Sequence, residues 1–248
     1  MSNEESRKQG LKGGFAATYD RLVQRKGLLP KGLAELIGLQ PAQEILEFGV
    51  GTGTVALGLS VLGHKVTGVD LSTDMLKEAR RKARRHGVSM KFMEGDMVEL
   101  KLKREFDLLI CLGNTLPLVP ELRRARRFLK NCRDHIKPGG KAIFQIVNYD
   151  RILKERPMTF AVDCENDLVR IKQYRYRRGI IDFVVSLVDN SRIPPSMTTA
   201  TNRIRPWTKD DLGAELRKAG FGKIAAYGDY LKSEFSLSSK DLVMVAEK

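Results

Sequence analysis

The chain has 248 residues, 42% of them hydrophobic, with 44 Lys and Arg against 30 Asp and Glu. That length suits one large domain, or a core with a modest insertion, and can bury a real core. No run approaches the roughly 18–20 apolar residues of a membrane span. The three cysteines, Cys111, Cys132 and Cys164, are too scattered to suggest a disulfide framework or a zinc site. Residues 1–14 are polar with no apolar signal region, which predicts a flexible tail and a cytoplasmic protein.

The net charge of +14 is concentrated in two runs, KEARRKARR over 77–85 and RRARRFLKNCR over 123–133. Both have helical composition, with Ala79, Ala83, Ala125, Phe128 and Leu129 free to face inward. A basic run of this kind is first a solvated outer face. A surface that attracts an anionic substrate or RNA is the alternative it leaves open.

In chain order, residues 15–39 carry apolar positions at helical spacing, punctuated by Pro30 and Pro41. Strands are expected over 44–48, 65–69, 90–94, 106–111 and 141–147, alternating with helices over 54–62, 73–85 and 120–136. Ser72 is the predicted N-cap of the second of these helices. Pro138-Gly139-Gly140 is expected to stop the third. Apolar strands alternating with helices imply a parallel sheet covered on both faces. After Asn148 the pattern changes. A hairpin is expected from 168–178 and 181–189, and a loop from Pro194-Pro195 through the Ser/Thr-rich stretch. A last helix follows Thr208 and ends at Ala219-Gly220-Phe221, with closing strands over 223–230 and 241–246.

The run Ile45-Leu46-Glu47-Phe48-Gly49-Val50-Gly51-Thr52-Gly53-Thr54 reads as strand, glycine turn and helix start, and Asp70 closes the next strand. Gly51 to Ala56 satisfies the loose dinucleotide fingerprint, so an NAD-dependent oxidoreductase is one reading. Glu47 argues against it, because an acid there repels a pyrophosphate and suits a cationic amine. No nucleophile elbow, P-loop or HExxH motif occurs. His64, His86 and His135 share no metal-ligand spacing and sit near predicted helix ends, so no metal is expected. Trp207 is expected to pack the start of the last helix.

With Val69-Asp70-Leu71-Ser72-Thr73-Asp74-Met75, the glycine run resembles class I S-adenosylmethionine-dependent methyltransferases over about residues 15–150. The resemblance implies a Rossmann-like α/β fold with a mostly parallel seven-stranded sheet and a small antiparallel insertion after strand five. It makes S-adenosyl-L-methionine the cofactor. Glu47, Gly49, Gly51 and Gly53 would form its loop and Asp70 would hold the ribose. Leu71, Met75, Asp96, Met97, Cys111, Leu112 and Asn114 would complete its site. The domain expected is 15–248, with its core in 40–150 and 206–248 and a cover inserted over about 151–205.

A narrower resemblance rests on Ile110-Cys111-Leu112-Gly113-Asn114-Thr115, Asn148-Tyr149-Asp150-Arg151-Ile152-Leu153 and Tyr227-Gly228-Asp229-Tyr230. These segments are similar to those of glycine and sarcosine N-methyltransferases. By that resemblance Asn148 and Tyr149 border the acceptor pocket and the hairpin covers it, and Tyr19 joins them as a candidate catalytic residue. Gln145-Ile146-Val147 departs from the charged His-Arg pair of that group. A small-molecule amine is the acceptor this reading favours. RNA or protein as acceptor, and a non-catalytic protein that keeps the fold, are the other readings. Oligomeric state is left open.

Overall fold

The computed structural model describes residues 27–38, 42–191 and 193–248. Tyr19 and the expected tail lie outside the described residues. A short helix α1 (Leu33–Ile37) precedes β1 (Glu44–Phe48), α2 (Thr54–Val61), β2 (Lys65–Asp70), α3 (Thr73–Arg85), β3 (Lys91–Glu94) and β4 (Phe106–Cys111). A 3-10 turn (Leu116–Leu118), α4 (Leu122–Asp134), β5 (Ile136–Val147) and α5 (Tyr149–Glu155) follow. Next come β6 (Thr159–Glu165), β7 (Leu168–Arg177), β8 (Ile180–Asp189) and β9 (Ser196–Ile204). The chain closes with α6 (Lys209–Lys218), β10 (Ile224–Tyr227) and β11 (Asp241–Glu247).

Seven strands form one sheet in the order β10-β11-β5-β4-β1-β2-β3, parallel from β3 to β5, with β11 antiparallel to both β5 and β10. A helix joins β1 to β2, β2 to β3 and β4 to β5, whereas β3 passes to β4 without one, and right-handed crossovers put helices on both faces. Strand order reverses beside β1, so helices before and after that point cover opposite sides. Alternate residues show it: Ile45, Leu108, Ile110 and Ile143 pack with α1, α2 and α3. Leu46, Phe48, Leu109, Phe144 and Ile146 pack with α4 and α6.

Local signals account for the ends. Ser72 Oγ accepts from Met75 N at 3.3 Å and Thr208 Oγ1 accepts from Asp211 N at 3.2 Å, so both helices start at a side-chain cap. His86 and His135 close α3 and α4. Trp207 is buried just ahead of α6. Pro138-Gly139-Gly140 does not stop α4, which ends before it; it lies within β5, where the register against β4 shifts between Phe106 and Leu108. A proline and two glycines support no regular ladder, and the strand absorbs them as an irregularity.

The insertion is larger than the expected hairpin. β6, β7, β8 and β9 form a four-stranded antiparallel meander in sequence order. The stretch after Pro194-Pro195, expected as a loop, is strand β9, paired with β8 from Asp189↔Ser196 to Ile181↔Ile204. Threonines suit a pleated edge whose polar side chains meet water. The meander docks on the core through Tyr174, Ile181 and Ile204, all buried. Arg205 fastens its exit, with N donating to Pro117 O at 2.9 Å and Nε to Pro120 O at 2.8 Å.

Candidate active site

The parallel strands end on one edge of the sheet, where an open α/β fold gathers its ligand-binding loops. After β1, Gly49, Gly51 and Gly53 have φ of 72°, 54° and 75°, a region glycine enters without steric cost. Gly49 carries a second constraint, since a Cβ there would overlap the Thr115 side chain. At Gly51 a Cβ would meet nothing within 4 Å. That backbone is therefore open to close approach.

Asp70, the last residue of β2, closes the loop. Its Oδ2 accepts from Gly51 N at 2.8 Å and its Oδ1 from Ser72 N at 2.9 Å. Burial pushes its pKa up, against the opposing N–H groups of Ser72, Gly51 and Leu71. Each oxygen keeps a further lone pair for a hydroxyl donor. Glu47 is 4% exposed and its Oε2 has no hydrogen-bond partner. Burial, with the Asp70 charge adding, pushes its pKa up to about 8. A buried carboxyl oxygen left unbonded is costly, and a cationic ligand group would satisfy it.

The remaining expected cofactor residues fall along the same edge. Leu71 is half-buried at the turn after Asp70 and Met75 is buried in the first turn of α3. Gly95 N donates to Asp70 O at 3.0 Å, which sets the Asp96 turn beside β2. Asp96 accepts from Val98 N at 2.9 Å and from Arg124 Nη2 at 2.5 Å. Met97 is half-buried and its carbonyl accepts from Asn131 Nδ2 at 2.9 Å. Cys111 is buried, and burial with the Glu47 charge pushes its thiol up, which makes it inert. Leu112 is buried and its carbonyl accepts from Thr115 Oγ1 at 2.7 Å.

Asn114 stands where β4 and β5 end, with φ of 64°. Its N donates to Gln145 O at 3.2 Å, its Oδ1 accepts from Val147 N at 3.1 Å, and its Nδ2 donates to Tyr149 Oη at 2.9 Å. Tyr149 is fully buried and also hydrogen-bonds Tyr174 of β7. Burial pushes both phenols up. Asn148, also fully buried, is committed elsewhere. Its Oδ1 caps α5 at Arg151 N (3.1 Å), and its Nδ2 donates to the carbonyls of Ser236 (3.0 Å) and Ser239 (2.8 Å). It ties α5 to the β10–β11 loop. Gln145, a polar residue inside an apolar strand, was a signal the sequence offered. Its Oε1 accepts from Gly113 N at 2.7 Å and its Nε2 donates to Asp241 Oδ1 at 3.0 Å.

A glycine loop with an unpaired buried acid, a second acid on the adjoining strand and this strand order together make a Rossmann-like α/β fold whose loop edge can take a ligand. Residues 45–140 match the family described as a methyltransferase domain. A crystal structure of an S-adenosylmethionine-dependent methyltransferase from Clostridium acetobutylicum superposes with a TM-score of 0.80 over 94% of this chain and 97% of that one, at 19% identity. The ubiquinone biosynthesis O-methyltransferase of Rickettsia canadensis is 31% identical over 105 residues, 42% of this chain and 43% of that protein. The chain thus spans less than half the length of that relative. The glycine/sarcosine N-methyltransferase of Aphanothece halophytica is 26% identical over 242 residues, 95% of this chain and 88% of that protein. No helix among the described residues is long and apolar enough to cross a membrane.

Proposed function

We propose that the chain transfers the methyl group of S-adenosylmethionine to a small-molecule amine. The bound cofactor supplies a methyl group activated on a cationic sulfur, which leaves the protein to align the acceptor and keep water out. The observation that carries this reading is the group of side chains meeting where β4 and β5 end. Asn114, Tyr149 and Tyr174 form a buried amide–phenol–phenol chain, with both phenols pushed up by burial. Such phenols stay protonated at neutral pH. They orient a nucleophile without taking a proton from it. A neutral amine attacks without prior deprotonation, whereas an alcohol needs a base.

The whole-chain likeness to a protein named for glycine and sarcosine supports an amine acceptor, because it extends through the covering meander; the likeness to the O-methyltransferase does not. In this reading Tyr149 meets the acceptor, Asn114 fixes Tyr149 against the cofactor loop, and Asn148 acts as a positioning residue. Tyr19 is retained as a further acceptor contact. The test is release of S-adenosylhomocysteine with primary amines, secondary amines and matched alcohols at saturating cofactor. Amine-dependent release is expected. Methylation of the alcohols alone, or of RNA alone, would overturn the assignment.

A further inference from the structure

One residue holds both backbone N–H groups of the turn that follows β4. Gly113 and Asn114 have φ of 66° and 64°, so neither extends the strand or begins a helix. Consecutive left-handed residues build no regular ladder, and their N–H groups must find acceptors elsewhere. Gln145 of β5 supplies both. Gly113 N donates to its side-chain Oε1 at 2.7 Å, and Asn114 N donates to its backbone O at 3.2 Å. Thr115, next in the chain, donates through Oγ1 to Leu112 O at 2.7 Å, and its side chain fills the space that a Cβ on Gly49 would need. The turn therefore meets the glycine loop through Thr115 and Tyr149 through the Asn114 side chain.

The far end of the Gln145 side chain is fixed as well. Its Nε2 donates to Asp241 Oδ1 of β11 at 3.0 Å. The two partners make opposite demands, since Gly113 N needs an acceptor and the Asp241 carboxylate needs a donor. A glutamine amide offers both from one planar group. Burial alone would be served by an apolar side chain, as at Ile143 two residues earlier in the same strand. An apolar side chain at 145 would bond neither partner, and an unpaired polar group is costly in a position only 9% exposed.

We propose that Gln145 is a positioning residue for methyl transfer, clamping the Gly113–Asn114 turn to Asp241 so that Asn114 holds Tyr149 in place for the acceptor. Its effect passes through Asn114 and Tyr149. The kinetic consequence rests on the amine-transfer reading above, whereas the clamp itself does not.

Kinetics with the accepted amine and calorimetric binding of S-adenosylhomocysteine, both on the full chain, test it. Gln145→Leu is expected to lower kcat about tenfold, the cost of unpairing buried polar groups, with S-adenosylhomocysteine affinity within about twofold. Asp241 is half-buried, so Asp241→Ala cuts the far end with less risk to folding and is expected to lower kcat about fivefold. Exchanging the partners, Gln145→Glu together with Asp241→Asn, keeps an acceptor for Gly113 N and sets a donor opposite it, and should return kcat to within about twofold of wild type. Unchanged kcat in both single variants, equal losses of kcat and cofactor affinity, or no recovery in the exchanged pair would each overturn the proposal. Amide hydrogen exchange reads the clamp without a substrate. The Asn114 N–H keeps its own acceptor, the Gln145 backbone, and is expected to exchange about tenfold faster in Gln145→Leu because the turn loosens. Unaltered protection there would also overturn the proposal. A wild-type protein that methylates no amine would overturn the amine reading instead, and the exchange measurement would still decide the clamp.

Discussion

Replacing Glu47 by Gln separates what this carboxyl does for the fold from what it does for the cofactor. The folded-state pKa of about 8 stands above the ordinary 4.5, so between those values the folded chain holds a proton that the unfolded chain has released. Stability from this group is complete below pH 4.5 and is lost as pH rises through 8. From pH 6 to pH 8 the loss is about 2 kcal/mol, which in a chain of this size lowers the melting midpoint by roughly 4–8 °C. Thermal melts of both proteins at pH 6, 7 and 8 measure it: the wild type should slope downward and Glu47→Gln should lack that component. The cofactor side runs the other way. A cationic ammonium beside Glu47 favours its ionised form, so binding at pH 7 should release close to one proton. Titrations in buffers of different ionisation enthalpy read that number directly. Glu47→Gln should release none and bind S-adenosylmethionine roughly 10–100-fold more weakly, the loss of a charge-assisted hydrogen bond. Parallel melting curves for the two proteins across this range, with no proton release in the wild type, would refute the reasoning.

Two glycines of the turn after β1 should fail in opposite ways. Gly49→Ala meets both a left-handed φ and the Thr115 side chain, and should cost about 2–4 kcal/mol in urea unfolding. Gly51→Ala meets only the backbone strain, near 1 kcal/mol, but should weaken S-adenosylhomocysteine binding far more, because its methyl occupies the approach to the loop. Tyr149→Phe should lower kcat with the accepted amine about tenfold while leaving the KM for cofactor within about twofold in steady-state assays. At acid pH, Arg126 (2.7 and 2.9 Å) and Lys218 (2.8 Å) hold the Glu215 carboxyl down at about 2. Stability from that group is present above pH 4.5 and lost as pH falls toward 2, so the acid limb of unfolding should be shallower in Glu215→Gln.

The parts of this fold that were legible are those specified within a dozen or two residues. Helix α3 occupies the expected 73–85 because Ser72 caps it and Met75, Leu76, Ala79 and Ala83 fall on one face. The glycine turn after β1 and the placement of Asp70 at the end of β2 were legible for the same reason, since strand, turn and next strand lie close together in sequence. Strand β9 was not. It lies on an edge and carries threonines on both faces, so it lacks the apolar alternation that marks a half-buried strand. Helix α5 was hidden differently: Asn148 and Tyr149 read as pocket residues, and the cap that Asn148 supplies was not recognised. Gln145 and Tyr174 reach the site only through tertiary packing. Gln145 stands out locally as a polar residue inside an apolar strand, whereas no local pattern distinguishes Tyr174 from the other aromatic residues of its strand.

The charge of +14 invites nucleic acid, and the fold bears on how it could be met. The basic residues of α3 and those of α4 project from helices packed on opposite faces of the sheet. On α4, Arg124 pairs with Asp96, Arg126 with Glu215, Arg127 with Glu99 and Lys130 with Asp134. Counterion release rewards a surface that lays many free cations along one backbone. Two runs on opposite sides, one of them largely committed to carboxylates, do not add into such a track. Against that net charge, two acids, Glu47 and Asp70, stand together at the loop edge of the sheet, where we propose that the cationic cofactor binds.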